Sequence, residues 1–526
     1  MLTTSLRRPI AGVTLAACAA LALATTGCGS SSGGDENADP AKVVPSGAPI
    51  YLEVTVRPQG AQKTQVTKLL REVMRTNDPG AQIAKLVNAS NGKLDFNKDV
   101  QPWLGRKIGV FFTTFSGGAN GAAIVATKDT GKAKAALDKD AKTDGKPDKK
   151  GSYKGVDYTL TGSDAQGIVG NYAVSGTLSA FKSVVDTQKD SGKALTAAPN
   201  FTQARRKLGP GGLAFLYADP SGLVSAIASS SSIPPTVGPA LRQAAAQIGA
   251  SSAAAKVSAV PEAFVIDAAV LGLKPSATPS GDAPAALAKL PADSWLGVGI
   301  GALGPRGSAA LKQAQQLSGL GGIDLNTVLK QLTGGLDIQN DLLSWMGDAG
   351  IFIRGTSLGD LGVGVEIQST DAAKSKAAVA KIAKLIRLKV KSAKVRPYRG
   401  GGFDAAVEVV PATKTASAIG NGVVIGDKGS TFVIAFGTSG VSEALKPTAT
   451  LDSNPDLKKV AEKLGDFKPE LFFNMSPFLT FLEGVGIGSR PGYVKARPYL
   501  QQFTAITAGA KREGGVARAR LVIGVR

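Results

Sequence analysis

The twelve residues LDFNKDVQPWLG at 94–105 return as LDIQNDLLSWMG at 336–347. Asp95, Asp99, Trp103 and Gly105 are thus answered, 242 positions later, by Asp337, Asp341, Trp345 and Gly347. The same spacing aligns TKDTGKAKAAL from Thr127 with STDAAKSKAAV from Ser369. VPSGAPIYLEVTV from Val44 pairs with LPADSWLGVGI from Leu290, and the segment ending at Pro220 pairs with the one ending at Pro477. Spacings that drift only by short insertions are the mark of a whole domain duplicated in tandem. No other feature constrains this chain as strongly, because whatever fold one half adopts, the other is expected to repeat.

The repeats predict domains at 44–273 and 290–526, joined at 274–289 by KPSATPSGDAPAALAK, whose Pro, Ser and Ala content reads as a linker. In each half an opening strand leads to helices, a strand pair (KIGVFF with AAIVAT; AGIFIR with LGVGVEI) and a Lys-rich helix. A second strand pair, further helices and closing strands follow. Neighbouring strands joined by short turns predict the α+β class, each domain a largely antiparallel sheet with helices packed on one side.

The N-terminus is expected to be a secretory leader at 1–27, with Arg7 and Arg8 ahead of an apolar run from Ile10 to Ala24. That run is shorter than the roughly 20 residues a spanning helix needs. ATTGC, ending at Cys28 and followed by a Gly/Ser tract, resembles the lipobox of bacterial lipoproteins, which implies lipidation of Cys28 and a flexible tether at 28–43. Thr25 departs from the Leu usual in that motif, and LAAC ending at Cys18 is the alternative, although cleavage there would leave a minimal apolar run. The order of elements, the duplication and the lipobox together resemble a family of actinobacterial secreted lipoproteins catalogued as a domain of unknown function. The resemblance rests on P-x-x-[AS]-x-x-x-[LV] at the opening strand and L-D-x-x-x-D-x-x-x-W-[LM]-G. It implies an extracytoplasmic, membrane-anchored location and no assigned chemistry.

The chain has no histidine, and its two cysteines, Cys18 and Cys28, both fall within the first 28 residues. Ser-His and Cys-His catalysis, thiol nucleophiles and the usual zinc sites are therefore excluded from the body. Asp95, Asn97 and Asp99 have the spacing that opens a calcium loop, but Val100 and Arg106 stand where that loop needs Gly and Glu. The expectation is instead scaffold, with Asp99 and Asp341 starting short helices whose Trp packs inward. GIGALG at 299–304 fits G-x-G-x-x-G, yet the first half has TVRPQG there, so nucleotide binding is not expected. Glu53 and Glu366 fall within strands and are read as lying on solvated faces. No catalytic residue, metal site or cofactor is expected, and a carboxylate-based hydrolase is the least favoured reading.

The positive signal is charge. The chain carries a net +21, and the stretch from Lys374 to Arg399 holds ten basic residues and no acid. At about 100° per residue, Lys374, Lys376, Lys381, Lys384 and Arg387 share one side of a helix, with Val379, Ile382 and Ile386 opposite. Lys374, Lys381, Lys384, Arg387, Lys391, Lys394 and Arg396 form the candidate anion-binding face, suited to phosphate-bearing lipid headgroups or anionic wall polymer. The expected protein is a lipid-anchored binding or carrier protein of the cell envelope, with a structural module holding wall polymer as the alternative. Its partners are the membrane, through the anchor, and anionic lipid or polymer; nucleic acid is not among them.

Overall fold

The computed structural model describes residues 33–91, 94–115, 118–142, 148–228, 249–274, 281–319, 325–411 and 422–526, with five further positions between 238 and 246. The expected leader, both candidate lipidation sites at Cys18 and Cys28, and 275–280 of the linker lie outside the described residues. Contacts divide the chain into two compact units, 1–274 with 512–518 and 275–511 with 519–526.

Among the described residues the first unit contains ten strands: β1 (Ile50–Thr55), β2 (Leu104–Thr114), β3 (Asn120–Thr127), β4 (Lys149–Tyr153), β5 (Val156–Thr161), β6 (Asp164–Val169), β7 (Tyr172–Thr177), β8 (Ala214–Ala218), β9 (Ser252–Val260) and β10 (Ala263–Leu271). They pair antiparallel in the order β4-β5-β6-β7-β3-β2-β1-β8-β9-β10. The second unit contains β11 (Leu296–Ile300), β12 (Met346–Arg354), β13 (Gly362–Ser369), β14 (Ala393–Pro397), β15 (Ala405–Pro411), β16 (Val423–Lys428), β17 (Thr431–Phe436), β18 (Leu471–Asn474) and, apart from residues 512–518, β19 (Phe503–Glu513) and β20 (Val516–Val525). Their order is β14-β15-β16-β17-β13-β12-β11-β18-β19-β20, the same order taken ten strands later. With helices threaded between antiparallel strands, the fold is α+β.

The expectation that helices pack on one side of the sheet is corrected by the cores. Ile124 and Val125 are adjacent in β3 and so point to opposite faces, and both are buried. Ile124, with Tyr51, Phe111 and Val174, packs against α4 (Leu178–Lys189) and α5 (Pro199–Leu208) through Phe181, Val184 and Phe201. Val125, with Ile108 and Val54, packs against Leu70 of α1 (Gly60–Met74), Ile83 and Val87 of α2 (Pro79–Asn91) and Ala133 of α3 (Thr130–Lys142). A sheet of this width exposes two apolar faces, and a single helical layer would leave one of them wet.

In the second unit α6 (Ala283–Ala288) lies so close on one face that a Cβ at Gly299 would sit 1.9 Å from the Ala283 carbonyl oxygen. On the other face Ile367, Ile425 and Phe432 pack against Trp345, Leu303 of α7 (Leu303–Gly319) and Val379 of α9 (Ala372–Lys389). The Trp345 and Phe432 rings are 4.9 Å apart between centroids. A shorter helix, α8 (Leu325–Leu332), precedes the Leu336 segment.

Candidate anion-binding surface

The repeated L-D-x-x-x-D-x-x-x-W segment folds as a backbone device in both units. Asp95 Oδ1 accepts from the Lys98 N–H at 2.9 Å, capping the turn Phe96–Val100, while Asp99 Oδ2 accepts from the Asp95 N–H at 2.8 Å. The Gln101 N–H reaches back five residues to the Phe96 carbonyl at 2.7 Å, so the turn is wide, of the π type. Trp103 Nε1 donates to the Asp99 carbonyl at 2.6 Å. Asp337, Asp341 and Trp345 repeat the arrangement, with bonds of 3.0 Å from the Asn340 N–H, 2.9 Å from the Asp337 N–H and 2.8 Å from Trp345 Nε1. The expected scaffold role is met with one correction: Asp95 and Asp337, rather than Asp99 and Asp341, cap the turns. The carboxylates are occupied by backbone N–H groups and lysines, and among the described residues no three His, Cys, Asp or Glu side chains are grouped to hold a metal ion.

The lysines in question are Lys139, 2.6 Å from Asp99, and Lys381, 2.5 Å from Asp341. Each aspartate is held below the usual carboxylate range, first by the hydrogen bond from its lysine and then by the one from the Asp95 or Asp337 N–H. Lys381, chosen from the sequence as part of an anion-binding face, is thus a scaffold residue first.

All seven candidate cations are exposed. Asp371 caps α9 by accepting from the Lys374 N–H, and the Ala-, Lys- and Leu-rich stretch that follows favours helix throughout. Buried Ser375, Ala378, Val379 and Ala383 turn the helix so that Lys384 and Arg387 face outward. Lys391 follows the helix, and Lys394 and Arg396 lie on β14. Three of the seven have acidic partners: Lys374 with Asp371 at 3.5 Å, Lys381 with Asp341, and Arg396 with Glu408 at 2.8 Å. Among the described residues no ion pair engages Lys384, Arg387, Lys391 or Lys394. Leu388 shares their outer face and is exposed. Its position four residues after Lys384, on the same side of the helix, was the available signal.

The two strand glutamates contradict the solvated-face expectation. Glu53 is only 5% exposed and accepts from Tyr51 Oη, Arg205 Nη2 and Lys107 Nζ, each at 2.9 Å. Glu366 is largely enclosed, with Oε1 lacking a hydrogen-bond partner, and burial pushes its carboxyl up to about 8 against a weak opposing pull from Lys289. Both lie on the same row across their sheets, Glu53 beside Gly109 and Glu366 beside Gly350, on different strands. Two of the three glycines of GIGALG, Gly299 and Gly304, have a packing reason. Gly299 admits α6, and a Cβ at Gly304 would lie 2.1 Å from the Leu343 carbonyl oxygen. A recess of about 190 Å³ in the second unit is lined by Asp293, Ser294, Thr356, Asp360, Asn454 and Asn474, among others. It is smaller than the roughly 300–1,000 Å³ of typical small-molecule pockets.

Among the described residues no helix is long and apolar enough to cross a membrane. No curated protein matches the chain. Two solved structures show a partial likeness: crystal form III of TP0453 (12% identity, TM-score 0.25, 46% of this chain and 83% of that one) and crystal form I of TP0453 (11%, 0.24, 45% and 79%). Similarity at that level assigns neither a ligand nor a reaction. The family match covers residues 10–507, and the chain accordingly belongs to the family described as protein of unknown function DUF3352.

Proposed function

We propose that this protein is an extracytoplasmic lipoprotein, anchored through Cys28 after loss of the leader 1–27. In this reading it is built from a duplicated domain and acts by binding rather than catalysis. Its ligand is a phosphate-bearing anionic component of the envelope, a lipid headgroup or a wall polymer, held on the outer face of α9 and β14. The observation that carries the reading is the group Lys384, Arg387, Lys391 and Lys394, all exposed, with no ion pair among the described residues and no acid between positions 374 and 399. Like charges gathered on one face raise the local concentration of anions and hold them by Coulomb attraction that salt weakens. The corresponding stretch of the first unit interleaves Asp138 and Asp140 with its lysines, so this reading assigns the cationic face to the second.

The test is titration of the full chain with linear polyphosphate over a range of salt. Binding should fall steeply with ionic strength and should be lost when Lys384, Arg387, Lys391 and Lys394 are all replaced by Glu. Unchanged affinity in that variant, with its circular dichroism intact, would overturn the reading. Lys381 is excluded from the set because its removal would disturb the Asp341 turn.

A further inference from the structure

We propose that the end of the second unit formed by α8 and the last turn of α9 docks on an anionic phospholipid bilayer. Leu332, Leu388 and Val390 enter the acyl layer while Lys384, Arg387 and Lys391 hold the phosphates around them. The proposal rests on the anion-binding reading above and chooses between its two sources of phosphate.

What sets these apolar residues apart is that they are exposed on two segments that meet at one end of the unit. Leu332 is 63% exposed, Leu388 49% and Val390 42%, and Val328, one turn before Leu332 on the same side of α8, is also exposed. Two contacts bring them to one place. Lys389 Nζ donates to the Gln331 carbonyl at 3.3 Å, and a Cβ at Gly334 would lie 2.6 Å from Leu388 Cδ2. The end of α9 therefore lies against the turn that closes α8, which brings the exposed Leu388 beside the end of the helix that carries Leu332; Val390 follows Leu388 by two residues, and Lys330, Lys384, Arg387 and Lys391, all exposed, lie on the same two segments.

Charge decides among the possible occupants. A second copy meeting this face with its own would set like charges against each other across the contact. A soluble polyanion satisfies the lysines and offers no apolar phase to Leu388. An anionic bilayer supplies both, with phosphates at the level of the cations and acyl chains beneath, which is how amphipathic basic surfaces bind membranes. The first unit lacks the combination. Leu86 is exposed at the position matching Val328, but the sequence has Ser90 where the second unit has Leu332, and aspartates break up the basic run.

The experiment places a reporter by Leu388→Trp in the full chain. Trp103, Trp295 and Trp345 are all buried, so the added indole is distinguishable as a difference spectrum. The probes are vesicles of phosphatidylglycerol with phosphatidylcholine, vesicles of phosphatidylcholine alone, and linear polyphosphate. The expected result is blue-shifted emission, quenched by acyl-brominated lipid, on the anionic vesicles only. Leu332→Ser with Val390→Ser should weaken vesicle docking roughly tenfold, leave polyphosphate binding unchanged, and preserve the circular dichroism. Polyphosphate binding with a reporter that stays solvated on anionic vesicles would overturn the bilayer assignment and leave the anion-binding reading standing. Failure to bind either probe would overturn both. Self-association without lipid, abolished by Leu388→Ser, would assign the patch to a second copy and refute the proposal, as would equal docking on phosphatidylcholine alone.

Discussion

Lys381 Nζ bonds the Asp341 carboxylate at 2.5 Å from 40 residues along the chain, and Lys139 bonds Asp99 at 2.6 Å across the same 40 residues. Each aspartate also holds the N–H of the residue four positions before it, and its own carbonyl receives the indole N–H of the tryptophan. One residue thereby ties a turn, a helix and a core tryptophan together. Asp341→Ala leaves the Asp337 N–H and Lys381 without this acceptor and should destabilise the second unit by about 2–3 kcal/mol. Denaturant unfolding measures it. Because Asp341 is held below its usual range, its stabilisation is present above the ordinary aspartate range and is lost as pH falls below it. The gap between wild type and variant should narrow in acid.

Glu366 has the opposite sign. Its carboxyl, pushed up to about 8 by burial, binds a proton in the folded state that the unfolded chain releases near the ordinary glutamate value of 4.5. Stability should fall as pH rises from about 4.5 to about 8, then level off. Glu366→Gln should remove this slope and raise stability above pH 8 by up to roughly 4 kcal/mol. Thermal unfolding of both proteins from acid to alkaline pH checks the prediction, and parallel curves would refute it.

Glu53 is stabilised by what surrounds it. Arg205→Ala removes one of two cations from a carboxylate that is only 5% exposed. The expected loss is about 3 kcal/mol, most of it the cost of leaving the buried charge under-compensated. Glu53→Gln combined with Arg205→Ala should lose less than the sum of the single changes, a coupling that a double-mutant cycle reads directly.

Gly299→Ala places a methyl group where the Ala283 carbonyl lies, 1.9 Å from its oxygen. α6 must move away from the sheet, at a cost of about 2 kcal/mol or more. Gly301→Ala, in the same motif, is the comparison. A nucleotide site would make both changes alter ligand binding, whereas packing makes Gly299→Ala alter stability.

Much of this architecture was legible in the chain itself. The recurrence of L-D-x-x-x-D-x-x-x-W-[LM]-G and the alternation of strand and helix patterns led to the α+β class. The Asp and Trp of the turn were readable as scaffold because their bonds close within a few residues, so the spacing along the chain carries the geometry. The basic run at 374–399 was equally plain, since charge density along one segment needs no partner to define it. What tertiary structure alone decided was every relationship closed over distance. Glu53 is buried because Arg205 arrives from 152 residues away, and Lys381 is occupied because Asp341 sits under it. Leu388 remains outside because the inner face of α9 was already filled by Val379 and its neighbours. Sequence spacing encodes local hydrogen bonds and the sign of a surface; burial and long-range pairing depend on which segments the sheet brings together, and that became visible only with both faces of each sheet in place.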